Sequence, residues 1–184
     1  MNYRKVFKFY IFSIIFSIIF GIILHFAFNW SNNNLLIASF SAVNESTWEH
    51  LKLIFFPMLT TIIISYFYLE DDFKKYLSSK TIGILISISF ITIFFYTYSG
   101  ILGYNLGIIN IVSFIISVIL SEYATYLLMK SNFLCNTKTS IIILIALLVC
   151  FILFTYYPPK IGYFKDPINN TYGIEQNDLS RHSF

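Results

Sequence analysis

The chain has 184 residues, of which 57% are hydrophobic, 20% aromatic and only 11% charged, with a formal net charge of +3. Soluble domains average roughly 45–50% apolar and about 25% charged residues, so a water-soluble single domain cannot absorb this excess. The small positive balance gives no basis for holding a nucleic acid, and the partner that the composition calls for is the lipid bilayer.

Arg4, Lys5 and Lys8 precede an uninterrupted apolar run over residues 9–28. As a helix that run is about 30 Å long, the thickness of the bilayer hydrocarbon. It is longer than the h-region of a secretion signal, and no small-x-small cleavage site follows, so it reads as a retained first span. Asn29, Trp30, Ser31 and three consecutive asparagines then predict a turn at the interface. Residues 35–43 are apolar but too short to cross, which suits an interfacial or re-entrant segment.

A second span runs over about 47–69, interrupted by Pro57, whose missing N–H predicts a kink. Glu70, Asp71, Asp72, Lys74, Lys75 and Lys80 read as the next polar loop. Further spans cover about 81–98, 106–129 and 139–157, and Pro158-Pro159 stops the last. Gly103 and Gly107 fall in the loop before span four and read as turn residues. The expected fold is therefore an all-α membrane protein, a bundle of five transmembrane helices over residues 1–157 with an extracytoplasmic tail over 158–184.

The basic residues orient it. With the N-terminus inside, Arg4, Lys5, Lys8, Lys74, Lys75, Lys80, Lys130 and Lys138 are inside, and Lys52, Lys160, Lys165 and Arg181 outside. That imbalance obeys the positive-inside rule and puts the C-terminal tail outside. Heavy use of Ile, Phe, Tyr, Asn and Lys, with arginine only at Arg4 and Arg181, fits an AT-rich bacterial genome and hence a bacterial cytoplasmic membrane. Cys135, in an inner loop, and Cys150, inside span five, lie at different depths, so no disulfide is expected between them. No internal repeat supports an inverted-repeat transporter core.

Ionisable groups gather in Asn44-Glu45-Ser46-Thr47-Trp48-Glu49-His50-Leu51-Lys52, where the second span meets water. His25, near the end of span one, and Asp166, in the tail, share its face of the membrane. Imidazoles and carboxylates suit zinc and similar ions, giving His25, His50 and Asp166 as candidate metal ligands, with Glu49 and His50 as candidate catalytic groups. Glu45, Trp48 and Lys52 complete the polar site. On one helix, however, Glu45 and Glu49 share a face and His50 is rotated about 100° from it. Glu49 also fits a capping box with Ser46, Trp48 an interface anchor, and Lys52 a partner for Glu49 or Trp48 or a snorkelling lysine. Asp166 is expected near Glu49 and His50 because the turn-rich tail can fold back. Glu122, an intramembrane acid about 10 Å from the inner end of span four, calls for hydrogen bonds from serines at similar depth, Ser13, Ser17, Ser65, Ser87 and Ser89, or for a proton-relay role.

Several segments resemble a known family: Leu24-His25-Phe26, Asn29-Trp30-Ser31, the Asn-Glu-Ser-Thr-Trp-Glu-His-Leu-Lys string, residues 96–103, and Phe164-Lys165-Asp166-Pro167 with Tyr172-Gly173-Ile174. They are similar to small multi-pass membrane proteins of Clostridium-like bacteria classed as domain of unknown function 6512. The resemblance implies an integral membrane protein with its signature residues on the outer face, and no reaction. Where an acid is expected near the start of span four, this chain has Asn110. The reading these features favour is an outward-facing polar site that binds a small ligand or a membrane partner protein, in a sensory or accessory role. The alternatives are a membrane-embedded metal-dependent hydrolase, with a divalent metal such as zinc as cofactor, and an ion- or proton-coupled transporter using Glu122.

Overall fold

A computed structural model describes residues 3–131 and 136–174. Cys135 and Arg181, used above for the disulfide and orientation arguments, lie outside the described residues, as does the polar stretch from Glu175 onward. The described residues form six α-helices and two 3-10 turns, with no strand among them. The helices are α1 (Tyr3–Trp30), α2 (Leu35–Ala38), α3 (Thr47–Leu69), α4 (Phe73–Leu102), α5 (Gly107–Lys130) and α6 (Thr137–Tyr156). Four continuous helical stretches are long and apolar enough to cross a membrane: Arg4–Trp30, Thr47–Leu102, Gly107–Lys130 and Thr137–Tyr156.

Local chemistry sets the ends of these helices. At the end of α1, Asn33 N–H donates to the Phe28 carbonyl and Asn32 N–H to that of Asn29, a Schellman-type closure. It needs positive φ, which Asn32 and Asn33 supply at 54° and 59°. Asn34 then caps α2 by accepting from Leu36 N–H at 2.9 Å. Helix α3 passes through Pro57 without ending. Between α3 and α4 lies the 3-10 turn Glu70–Asp72, opened by Glu70 at φ 47°. Gly103 ends α4 at φ 76°, its N–H bonded to the Ser99 carbonyl.

Helix α4 begins eight residues before the expected span at Thr81, so Lys80 is a fully buried helical residue rather than part of a polar loop. The reason is that its ammonium group finds a carboxylate partner, Glu122.

The chain divides into two compact units, one built from Met1–Ile19 with Ile54–Leu144, the other from Phe20–Leu53 with Ile145–Phe184. The first has an unusual interior. Ser13, Ser17, Thr61, Ser65, Ser87 and Ser117 are fully buried, while Ile15, Ile63, Phe67, Ile93, Ile108 and Ile142 are more than half exposed. Ile54, Phe55, Met58, Ile84, Val118 and Met129 are fully buried beside these hydroxyls, so the interior mixes large apolar side chains with small polar ones, and small residues let helix backbones approach closely. Gly83 shows how closely: a Cβ there would lie 2.6 Å from the Ser121 carbonyl and 2.6 Å from Thr125 Oγ1 on α5.

In the second unit, Phe28, Ala38 and Ile174 form a small core with Leu35, Val43 and Tyr156 packed against it. Tyr156 OH donates to the Leu35 carbonyl at 2.6 Å and lies 2.8 Å from Ser39 Oγ, which fixes the short helix α2. The tail returns on itself through the antiparallel bridge between Lys165 and Tyr172.

Replacing Gly83 by valine is expected to force α4 and α5 apart and to cost about 1–3 kcal/mol. Thermal denaturation of the detergent-purified variant checks this, with Gly100→Val, where a Cβ meets nothing within 4 Å, as the control.

Candidate functional site

The Asn44 to Lys52 segment puts its ionisable groups into two separate clusters of the second unit. The first is closed. Glu49 and Lys52 are one helical turn apart, almost fully buried, and joined by an ion pair of 2.5 Å. Lys52 Nζ also donates to the Ala38 carbonyl at 2.8 Å and to Thr155 Oγ1 at 2.8 Å. Its three hydrogens are thereby used, and Lys52 does not snorkel. Glu49 Oε2 accepts in addition from Val43 N–H at 3.1 Å, and Oε1 lies 3.3 Å from Thr155 Oγ1.

The expected capping box is only half formed. Ser46 Oγ accepts from Glu49 N–H at 3.4 Å, but the Glu49 carboxylate turns inward to Lys52. Ser46 N–H donates instead to Asn44 Oδ1 at 2.9 Å. A buried ammonium group outcompetes a backbone amide for a carboxylate. A general base needs a lone pair aimed at a reacting water, and both oxygens of Glu49 already face protein groups.

The second cluster is open. His25 on α1, Glu45 before α3 and His50 on α3 each offer one ligand atom, all within 4.8 Å of one another. Glu45 Oε2 lies 3.3 Å from His50 Nε2, and Glu45 Oε1 lies 3.9 Å from His25 Nε2. The two imidazole centroids are 5.4 Å apart. The helical-wheel argument that separated Glu45 from His50 does not apply, because α3 starts at Thr47 and Glu45 precedes it.

His50 is held in one orientation. Its Nδ1 is 3.0 Å from the Ser46 carbonyl, which only accepts, so Nδ1 carries a hydrogen. Nε2 then faces a carboxylate oxygen and needs a positive species between them, either a proton or a metal ion. As a proton, the hydrogen bond from His50 holds the Glu45 carboxyl below its usual range, against the opposing effect of partial burial. His25 Nδ1 is buried and has no hydrogen-bond partner among the described residues.

Asp166 does not join these ligand atoms. Its Oδ2 accepts from Glu45 N–H at 3.2 Å, and its Oδ1 from Ile168 N–H at 2.7 Å and Asn169 N–H at 3.2 Å. The tail does reach the Asn44 to Lys52 segment, as expected, but Asp166 serves there as the acceptor that fixes a turn and the backbone of Glu45. Asn44 strengthens the same junction by donating to the Gly173 carbonyl at 3.1 Å. Trp48 packs within the unit, with ring centroids 4.7 Å from Phe151 and 4.9 Å from Phe164. The aromatic tail gives it a protein surface in place of the membrane interface.

Glu122 belongs to the first unit and takes no part in either cluster. It pairs with Lys80 and accepts from Ser13 Oγ at 2.5 Å. Ser13 is thus one of the serines expected to support it. Lys80 was the partner missed in the sequence, and the available signal was a lysine adjoining an apolar run at similar depth to a lone acid.

Two outcomes follow. Lys52→Met leaves a buried carboxylate unpaired and is expected to destabilise the protein by about 3–5 kcal/mol, with Glu49→Gln in the same chain restoring much of the loss. A double-mutant cycle on thermal or denaturant unfolding measures this. For Glu45 the folded-state pKa is depressed, so its contribution is present above the unfolded pKa and lost as pH falls through the folded value. Glu45→Gln is therefore expected to flatten the fall in melting temperature with acidification seen in wild type.

No curated protein and no solved structure matches the chain. The family described as "Family of unknown function (DUF6512)" matches residues 1–174, nearly the whole chain with every residue of the site, and the chain belongs to that family.

Proposed function

We propose that this protein is a polytopic protein of the bacterial cytoplasmic membrane that binds a divalent transition-metal ion through His25, Glu45 and His50 on its outward side. The observation that carries this reading is the convergence of two imidazole nitrogens and a carboxylate within 4.8 Å. Ligands about 2.0–2.2 Å from a tetrahedral ion lie roughly 3.3–3.6 Å from one another. The His50 Nε2 to Glu45 Oε2 separation of 3.3 Å meets this, the His25 Nε2 to Glu45 Oε1 separation of 3.9 Å runs to the other carboxylate oxygen, and drawing all three ligand atoms from within 4.8 Å of one another to that spacing takes a side-chain movement. A histidine ligand characteristically donates its other ring N–H to a carbonyl, the arrangement that Ser46 gives His50.

Five crossings fit the helices. The 56-residue stretch Thr47–Leu102 is about 84 Å long as a straight helix, far more than one bilayer needs, and the acidic turn Glu70–Asp72 divides it. With Lys52 and Lys80 buried in helices, Arg4, Lys5, Lys8, Lys74, Lys75, Lys130 and Lys138 stand against Lys160, Lys165 and Arg181, which favours the N-terminus inside.

Three protein ligands leave at least one coordination position open for a small ligand or water. Glu49 is tied to Lys52, so ligand binding, in a sensory or accessory role, is favoured over hydrolysis with Glu49 as base.

Elemental analysis of detergent-purified protein after exposure to zinc tests the proposal. Near-stoichiometric metal is expected in wild type and in Asp166→Asn, and its loss in His50→Ala and Glu45→Ala. Wild type that remains metal-free would overturn the reading.

A further inference from the structure

Glu122, Lys80 and Ser13 form a second buried polar centre, independent of the proposed metal site. Glu122 lies on α5 eight residues before Lys130, about 12 Å along the helix, and is almost fully buried. Both hydrogen bonds to its carboxylate, from Lys80 Nζ and Ser13 Oγ, fall on Oε1. Lys80 Nζ also donates to Ser13 Oγ at 3.3 Å. Among the described residues Oε2 receives no hydrogen bond, which is unusual for a carboxylate held only for stability.

A partly open pocket reaches this carboxylate, lined by Val6 and Tyr10 of α1, Tyr76 of α4, and Glu122, Tyr126 and Met129 of α5. It has room for about one water molecule. Tyr10, Tyr76, Lys80 and Tyr126 are the titratable groups that face Glu122. Apart from Glu122 the pocket wall is mostly apolar, and two further buried hydroxyls lie on the far side of Ser13. Ser17, one turn further along α1, and Ser87, two turns beyond Lys80 on α4, are fully buried, and their hydroxyls have no partner among the described residues. Buried hydroxyls without protein partners are the usual companions of internal water.

We propose that Glu122 is a proton-exchange site, fed by water entering the pocket beside Val6, Tyr10 and Tyr126, with Lys80 stabilising the carboxylate when the proton leaves. The proton arrives on a hydronium ion, forms the O–H bond at the free Glu122 oxygen and leaves water behind. Release reverses the step, so no oxidant, reductant or other co-reactant is needed.

Infrared difference spectroscopy of the full chain in lipid nanodiscs tests this. The expected result is a protonated-carboxyl carbonyl band whose intensity changes with pH and which shifts promptly in D2O. The band is lost in Glu122→Gln and moves in frequency in Glu122→Asp, a variant that keeps the acid should the amide fail to fold. Val6→Phe, which fills the pocket, is expected to slow the D2O shift, and an unchanged rate would overturn the pocket as the route. A carbonyl region insensitive to pH in wild type, or a band unaffected by either Glu122 substitution, would overturn the proposal. So would a D2O shift seen only when the protein unfolds, which marks Glu122 and Lys80 as a sealed structural pair.

Discussion

Four fully buried charges, Glu49, Lys52, Lys80 and Glu122, cannot stand singly in apolar surroundings, and their pairing constrains much of the structure. In the first unit, Lys80 and Glu122 tie α4 to α5, and Ser13 brings α1 to the same point. In the second unit, Lys52 binds Glu49 of its own helix, the carbonyl that ends α2, and Thr155 near the end of α6. Each pair joins elements that are distant in sequence. Removing one member of a pair leaves the other charge buried without its counter-ion.

The exterior is rich in exposed Ile, Phe and Leu. For helices that cross a membrane, burying more of the same gains little, and association comes from close packing and internal hydrogen bonds. The first unit accordingly packs Gly83 directly against the Ser121 backbone and lines its interior with hydroxyls. Many of those hydroxyls bond to carbonyls of their own helix, as Thr61, Ser65 and Thr81 do. They can therefore sit at a helix contact without leaving an unsatisfied group.

The Asn44 to Lys52 segment divides its chemistry between two sides of one helix start. Glu49 and Lys52, at i and i+3, point into the packed interior, while His50 lies about 100° round the helix and meets Glu45 and His25. Glu45 reaches His50 because it stands before the helix, in backbone that Asp166 and Asn44 hold from both sides. The tail therefore acts at this site through backbone hydrogen bonds, and the open cluster is made from the two histidines and Glu45 alone.

The sequence by itself determined the all-helical class of fold, the long helices to within a few residues except the starts of α1 and α4, and the segment that carries the polar chemistry. Each of these depends on local pattern: the length of an apolar run, a capping residue, an asparagine or glycine at positive φ. Only the tertiary structure decided which polar groups meet. That Lys80 belongs to Glu122, that Glu45 replaces Asp166 beside the histidines, and that Trp48 packs under the tail are contacts between residues as many as 116 apart in the chain. Periodicity records which face of a helix is apolar, but it carries no information on the neighbour that covers that face. For a buried charge, the neighbour determines whether it is a structural strut or a site.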